Sequence, residues 1–147
     1  MGDQNVSTAT SLYELWNARD FDRYAGMFTD DAEITIVGAG ETFRGREGAL
    51  RFAQMWADAF PDGRVQIDRV IADGDTIAVE HTGRGTHTGT LAGPAGEIPA
   101  TGRQVTLQLC DVHELEGGKI RRFRTYFDTA SLLGQLGLMP AQAGTAV

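Results

Sequence analysis

The chain has 147 residues, 41% of them hydrophobic and 22% charged, values typical of an ordinary globular protein with one domain spanning residues 1–147. Its net charge of −7 argues against a nucleic-acid partner, and its single cysteine, Cys110, excludes an internal disulfide and a cysteine-based zinc cluster. No apolar run approaches about 18 residues and the N-terminus lacks a signal-peptide pattern, so we expect no membrane partner and a cytoplasmic protein.

The N-terminal part of the chain is dominated by helical periodicity. Apolar residues recur three or four positions apart in three segments, and Asp20 is placed to cap the second of them. Pro61 stops the third, which has the clearest apolar stripe. An alternating pattern around a glycine turn predicts a short hairpin before that helix. The predicted helices span 6–18, 20–28 and 45–60, and the hairpin spans 33–43.

The C-terminal part is predicted to form an antiparallel sheet. Two strands, 64–72 and 76–87, flank the turn signal Asp73-Gly74, and a glycine-rich loop over 88–104 follows. Two further strands meet at Gly117-Gly118, before a short apolar helix and a frayed tail over 139–147. Helices first and an antiparallel sheet afterwards indicate an α+β fold. A curled sheet over helices encloses an apolar pocket, the usual site for a small molecule.

The last two strands carry an unusual mixture of side chains. With Gly117 and Gly118 as the turn, antiparallel pairing places Asp111 opposite Arg124 and Leu107 opposite Asp128. The face that these residues share begins apolar and then becomes polar, as the wall of a pocket with a polar end does. The other face, with Val112 and Phe123, is equally mixed, so the pattern leaves open which face is concave. The shared face comprises Val105, Leu107, Leu109, Asp111, His113, Ile120, Arg122, Arg124, Tyr126 and Asp128.

Four stretches, covering nearly the whole chain, carry the motifs of one known family: NARDFDRYAGMFTDDAEI (17–34), FRGREGALRFAQMWADAFPD (43–62), GTHTGTLAGPAGEIPATGRQV (85–105) and DVHELEGGKIRRFRTYFDTASLLGQLG (111–137). Together they resemble the SnoaL-like polyketide cyclases of the nuclear-transport-factor-like superfamily. The resemblance implies a cone-shaped, mostly antiparallel sheet wrapped around three N-terminal helices. The chain differs from the family pattern at two places. Arg122 and Arg124 stand where an acidic residue and a tryptophan are usual, and Pro99-Ala100 stands where a proline pair is usual.

The resemblance also implies a chemistry. In the family, an acidic residue at the end of the last strand is the acid/base of an intramolecular aldol ring closure in secondary metabolism, without metal or cofactor. Asp128 holds that position here. Two other enzymes of the superfamily have their catalytic aspartates at different positions. That of ketosteroid isomerase corresponds to about Ile36 here, and that of limonene epoxide hydrolase corresponds to Thr125, so this chain lacks both. The alternatives are other chemistry on this fold (a hydratase, dehydratase, epoxide-opening cyclase or isomerase) or a non-catalytic, ligand-binding dimer.

Asp128 and His87 are the candidate catalytic residues. Asp128 precedes the last helix and is equally suited to be its N-cap, and a carboxylate can serve as both cap and base. Leu107 and Tyr126 beside it would limit water and raise its pKa. His87, where a strand opens into the long loop, is either a general acid or a hydrogen-bonded loop anchor. His81 and His113 are interpreted as ordinary strand histidines, and the histidines lack zinc-ligand spacing.

The remaining candidates would bind a hydrophobic substrate. Asp111 and Arg124 would form a cross-strand ion pair, or Arg124 would stabilise an enolate. One sheet face must be exposed and carries apolar groups, so we expect a homodimer joined through the sheets. The expected substrate-binding residues are Tyr13, Trp16, Trp56, Leu107, Leu109, Asp111, Arg124 and Tyr126.

Overall fold

The computed structural model describes residues 2–93 and 96–139, and three helices come before most of the sheet. The end of the predicted tail, 140–147, lies outside the described residues. The helices in the described part are α1 (Gly2–Asn17), α2 (Phe21–Gly26), α3 (Gly45–Ala59) and α4 (Thr129–Gln135), with a 3₁₀ turn at Val37–Ala39. The strands are β1 (Phe28–Ile36), β2 (Glu41–Arg44), β3 (Arg64–Asp73), β4 (Thr76–Thr86), β5 (Leu91–Gly93), β6 (Gly96–Ile98), β7 (Gln104–Glu116) and β8 (Lys119–Phe127).

Six of these strands form one curved, mostly antiparallel sheet in the order β2-β1-β8-β7-β4-β3. The pairing of β1 with β8 is parallel, and β5 and β6 form a separate hairpin within the described residues. This architecture confirms the predicted α+β fold with its N-terminal helices. None of the helices in the described part is long and apolar enough to cross a membrane.

The first helix begins at Gly2 instead of residue 6, and pairing within the sheet makes two further predictions wrong. The second helix ends at Gly26 instead of residue 28, because Phe28 already belongs to β1 and is fully buried. The backbone N–H of Ile120 donates to the Met27 carbonyl at 2.9 Å, so pairing with β8 extends the strand well before Glu33. The 88–104 segment, expected as a loop, contains the small β5–β6 hairpin. In both places long-range pairing overrides the local pattern.

The core lies between the first three helices and the concave face of the sheet. Ala9, Leu12 and Tyr13 of α1 and Phe52 and Ala53 of α3 are buried there against the sheet. A second apolar cluster joins the end of α3 to α4 through Ala59, Phe60, Leu91, Val105, Leu107, Leu132 and Leu136. The helices therefore close one side of the cone, and α4 closes its end.

The register predicted for β7 and β8 is correct near the turn and wrong beyond it. Glu116 pairs with Lys119 as expected, but Asp111 lies opposite Thr125 instead of Arg124. The cause is a β-bulge at Arg121: Leu115 pairs with Ile120 while Glu114 pairs with Arg122. This one extra residue in β8 turns every side chain after it to the opposite face of the sheet.

The bulge separates the residues that were expected to share a face. Phe123, Thr125 and Phe127 turn toward the concave side with Asp111, while Arg124 and Tyr126 turn outward. Arg124 donates to Glu114 Oε2 at 3.0 Å and to the Tyr126 hydroxyl at 3.3 Å. The predicted ion pair between Asp111 and Arg124 is therefore wrong.

Candidate active site

A pocket lies between α1, α3 and the concave face of the sheet, and its lining is almost entirely apolar. Glycines on β4 and leucines on β7 form one wall, and aromatic side chains from the helices form the other. The structure brings six of the predicted binding residues together here, namely Tyr13, Trp16, Trp56, Leu107, Leu109 and Asp111.

The aromatic wall is held in place by contacts of its two tryptophans with neighbouring residues. The Trp16 indole N–H donates to the Ala53 carbonyl at 3.1 Å, which joins α1 to α3. Trp56 is stacked with Phe60 at a centroid distance of 6.4 Å and meets Phe127 edge-on at 5.7 Å. Such interlocked rings leave a preformed surface for a ligand.

The inner end of the pocket carries a polar cluster, distinct from Arg64 and Arg84, which also belong to the lining. Asp111 on β7 and His81 on β4 line the pocket, and both are buried, with Asp111 only 2% exposed. Further along the same strand faces, Val79 and His113 belong to the closed interior. The carboxylate therefore stands where the pocket ends and the packed core begins.

Asp111 is held by hydrogen bonds through one of its two oxygens. The Tyr13 hydroxyl donates to Asp111 Oδ2 at 2.7 Å, and His81 Nε2 lies 2.8 Å from the same oxygen. His113 Nε2 lies 2.8 Å from the Tyr13 hydroxyl. Thr125 stands directly across from Asp111 on β8, but within the described residues no donor makes a hydrogen bond to Asp111 Oδ1.

The hydrogen positions in this cluster follow from its geometry. An ionised carboxylate only accepts, so His81 carries its proton on Nε2 and the Tyr13 proton points to Asp111. The Tyr13 oxygen then accepts, which places the His113 proton on Nε2 as well. In neutral rings, the Nδ1 atoms of His81 and His113 are therefore acceptors. Of these residues, His81 and Asp111 line the pocket, so their acceptor atoms suit a ligand that brings donors to its inner end.

The cluster keeps Asp111 ionised. Burial alone would raise the pKa of Asp111, but the neighbouring His81, its hydrogen bond, His113 and the Thr125 hydroxyl offset that effect, and the net pKa is lowered. The pKa of Tyr13 is raised well above its ordinary value by burial and by the Asp111 charge, so Tyr13 remains a donor. Burial lowers the pKa of His113 to about 4, so its ring is neutral.

Asp128 lies outside this pocket. It is exposed and serves as the N-cap of α4, where its Oδ1 accepts from the Ser131 backbone N–H at 3.2 Å. The capping interpretation of Asp128 is therefore confirmed. The structure does not bring Asp128 to the pocket lining with Leu107 and Leu109, and Tyr126, expected beside it as a shield, faces outward with 42% exposure.

His87 is fully buried in the segment that follows β4. Its Nδ1 accepts from the Thr101 backbone N–H at 3.2 Å, and its ring lies 5.4 Å from the Phe60 ring. Burial lowers the pKa of His87. These contacts fit the loop-anchor interpretation, and His87 is not among the residues that line the pocket.

His81, His113 and Thr125 are the site residues that sequence reasoning missed. A usable signal existed for His81, which continues the alternation of Ile77 and Val79 and places a polar group on an apolar strand face. No comparable signal existed for Thr125, because its facing depends on the bulge. Within residues 2–93 and 96–139, no group of three or more histidine, cysteine or acidic side chains is arranged to hold a metal ion.

Comparison with known proteins places the chain in a family. The SnoaL-like polyketide cyclase family matches residues 7–136. The chain belongs to this family. A putative SnoaL-like polyketide cyclase from Jannaschia sp. CCS1 is 22% identical, with a TM-score of 0.83 and 95% of each chain covered.

Two Streptomyces proteins are also similar to this SnoaL-like chain. IdmH, a putative polyketide cyclase from Streptomyces antibioticus, is 28% identical with a TM-score of 0.74, over 91% of this chain and 99% of IdmH. AclR, a putative hydroxylase from Streptomyces galilaeus, is 19% identical with a TM-score of 0.80, over 99% of this chain and 92% of AclR. No curated protein matches the chain. The fold is thus shared by proteins with different proposed reactions, and the pocket must decide the chemistry.

Proposed function

We propose that this SnoaL-like protein is a cofactor-independent enzyme that closes a ring on a hydrophobic, polyketide-type substrate, with Asp111 as its acid/base. The observation that carries the proposal is a buried carboxylate, that of Asp111, which is held by two hydrogen bonds at the inner end of a largely apolar pocket. Burying a charged group costs free energy, so a carboxylate stays ionised at the end of a pocket only when neighbouring groups stabilise its charge.

Each neighbour of Asp111 has a role in this proposal. Tyr13 and His81 donate to Oδ2, fixing the carboxylate and stabilising its charge. Oδ1, with no hydrogen bond from the described residues, is the oxygen that takes the substrate proton. His113 positions Tyr13. Only Asp111 would exchange a proton with the substrate, and the other three residues act through it.

The reaction then proceeds with one carboxylate and no external reagent. Asp111 Oδ1 takes a proton from a carbon next to a carbonyl group, and the resulting enolate carbon attacks a second carbonyl of the same molecule. A carbon–carbon bond forms, and the new alkoxide recovers the proton from Asp111. Because its lowered pKa makes Asp111 a weak base, the substrate carbon must be strongly activated. A methylene group between two carbonyls, the repeating feature of poly-β-ketones, meets that requirement.

The test is enzyme-catalysed deuterium exchange at the central carbon of a 1,3-diketone, with dibenzoylmethane as the probe and NMR as the readout. General acid–base catalysis is worth about 10² to 10⁴ in rate, so Asp111→Asn should lower the exchange rate by that order. Asp128→Asn is the matched control, and it should leave the rate unchanged. Full exchange by Asp111→Asn would contradict the proposal. Loss of exchange in Asp128→Asn alone would return the catalytic role to the residue that the family resemblance indicates.

A further inference from the structure

Tyr24 carries a buried hydroxyl that bonds to none of the described residues. The side chain belongs to α2, is only 3% exposed, and lines the pocket. Of the three tyrosines in the chain, Tyr13 and Tyr126 have hydroxyls with hydrogen-bond partners, whereas the Tyr24 hydroxyl has none in the described part. A buried tyrosine hydroxyl usually finds a partner. A ligand in the pocket would supply one here.

Packing accounts for the ring of Tyr24 but not for its hydroxyl. The ring lies 5.6 Å from the Phe28 ring and belongs to the core between the first three helices and the sheet. Phenylalanine would make the same contacts. It would also avoid burying a hydroxyl without a hydrogen bond, which costs free energy. Stability alone would therefore favour phenylalanine at position 24.

Tyr24 lines the pocket near its inner end. Asp111 and Phe123 are also in the lining, and the Phe123 ring lies 4.8 Å from the His113 ring of the polar cluster. Phe28 joins the two sides, since its ring lies 5.6 Å from that of Tyr24 and 6.2 Å from that of Phe123. Burial and the Asp111 charge raise the pKa of Tyr24. The influence of a charge weakens with distance, so it agrees with this placement.

Tyr24 can donate a hydrogen bond where the groups around Asp111 cannot. Tyr13 and His81 already direct their protons to Asp111 Oδ2, so Asp111 Oδ1 and His81 Nδ1 are acceptors. A substrate whose acidic carbon faces Oδ1 also brings a carbonyl oxygen, and that oxygen needs a donor. Because its pKa is raised, the Tyr24 hydroxyl stays protonated and can be that donor.

We propose that Tyr24 is a second catalytic residue, whose hydroxyl donates a hydrogen bond to the substrate carbonyl oxygen that becomes the enolate oxygen. This inference rests on the proposed function, since it concerns the carbon acid that Asp111 deprotonates. As the proton moves from carbon to Asp111 Oδ1, negative charge moves to the carbonyl oxygen. The hydrogen bond from Tyr24 then strengthens, and no proton leaves Tyr24. A donor placed in advance lowers the barrier, because it stabilises charge that develops in the transition state.

Tyr24→Phe removes the hydroxyl and keeps the ring. We expect it to lower the rate of dibenzoylmethane deuterium exchange by about 10² to 10³, the usual effect of losing one such donor. Its melting temperature should not fall, because the hydroxyl bonds to none of the described residues. Tyr126→Phe is the matched control. Tyr126 faces outward with 42% exposure, so its variant should exchange at the wild-type rate.

Infrared spectroscopy tests the contact itself, without turnover. The probe is acetophenone, isotope-labelled at its carbonyl carbon and bound to the protein. A hydrogen bond to the oxygen lowers the carbonyl stretching frequency, so the band should lie at lower frequency in the wild type than in Tyr24→Phe. Tyr126→Phe should give the wild-type band. A purely structural role of Tyr24 would not produce this shift.

Four outcomes overturn the inference: a wild-type exchange rate in Tyr24→Phe, the same carbonyl frequency in wild type and Tyr24→Phe, no bound carbonyl band in the wild type, or a lower melting temperature that accompanies the lost exchange. The proposed function fails separately. If Asp111→Asn keeps its exchange activity while Tyr24→Phe shifts the carbonyl band, the Tyr24 contact stands and the base does not. If Asp111→Asn loses exchange while Tyr24→Phe keeps the wild-type rate and band, the base stands and the donor does not.

Discussion

Asp111 keeps its charge inside the protein because its neighbours were placed to offset the cost of burial. Tyr13 and His81 donate to one carboxylate oxygen, and Thr125 lies across from it on β8. His113 completes the cluster by bonding to Tyr13. A buried polar network of this kind stabilises the fold only while each member holds its proper proton. The protonation of His113 is therefore a measurable property of the site.

His113 should make the stability of the protein depend on pH. Its pKa falls from 6.5 to about 4 on folding because burial disfavours its charged form. Between pH 4 and pH 6.5, His113 is protonated in the unfolded chain but not in the folded one. The free energy of unfolding is therefore undiminished by His113 above pH 6.5, and it decreases as the pH falls toward 4. Across this pH range, the decrease in the free energy of unfolding due to His113 is about 3 kcal/mol.

The measurement is the free energy of unfolding in urea at several pH values, for wild type and His113→Leu. His113→Leu should be less stable at pH 7, because it loses the bond to Tyr13. Its stability should then fall less steeply than that of the wild type as the pH decreases. Some slope will remain, since burial also lowers the pKa of His87. Parallel curves for the two proteins would show that His113 does not titrate in this window.

Among the elements, α4 depends on Asp128. The helix has only seven residues, Thr129–Gln135, and it covers the second apolar cluster with Leu132 and Leu136. Short helices are marginal alone, so the cap and this packing hold α4 in place. Asp128→Ala should therefore lower the free energy of unfolding by about 1 kcal/mol, while Asp128→Asn, which still caps, should change it little.

Urea unfolding of both variants checks this prediction. Asp20→Ala is a matched comparison, because Asp20 caps α2 through the Arg23 backbone N–H at 3.3 Å. We expect a loss of similar order there. If Asp128→Ala were as stable as the wild type but inactive in deuterium exchange, Asp128 would act in the chemistry instead of stabilising the helix.

The last hairpin shows where sequence reasoning succeeds and where it stops. The Gly117-Gly118 turn and the pairing of Glu116 with Lys119 were predictable, because short-range turn chemistry decides them. The bulge at Arg121 was not, since nothing in the residues around it demands an extra position. It moved Arg124 and Tyr126 out of the expected pocket wall and Thr125 into it.

At the scale of the molecule, the layer pattern was readable because helical and alternating periodicities hardly overlap along this chain. The pocket residues on α1 and α3 followed from the same apolar stripes that form the core. The polar cluster was harder to predict. Tyr13, His81, Asp111 and His113 come from three elements, and their meeting depends on how the sheet curves over α1.

The facing of the strands indicates which side of the sheet is available to a second copy of the chain. Leu107, Leu109 and Phe123 turn inward, which leaves Val112 with its cross-strand neighbour Ala78 on the outer face. Tyr126, 42% exposed, lies nearby across from Cys110. Arg124 lies beside Val112 on the same face, so the face combines apolar and charged side chains, and such a sheet face is a suitable two-fold interface. We therefore predict a homodimer joined through these faces.

Sedimentation velocity at micromolar concentration tests this prediction. The wild type should sediment at twice the mass of the chain, and Val112→Glu should shift it toward the monomer, because burying the added carboxylates in the interface is costly. Val37→Glu is the control: Val37 is 39% exposed, lies in the 3₁₀ turn after β1, and its substitution should leave the dimer intact. A monomeric wild type would contradict the prediction. A dimer that Val112→Glu does not weaken would place the interface on another surface.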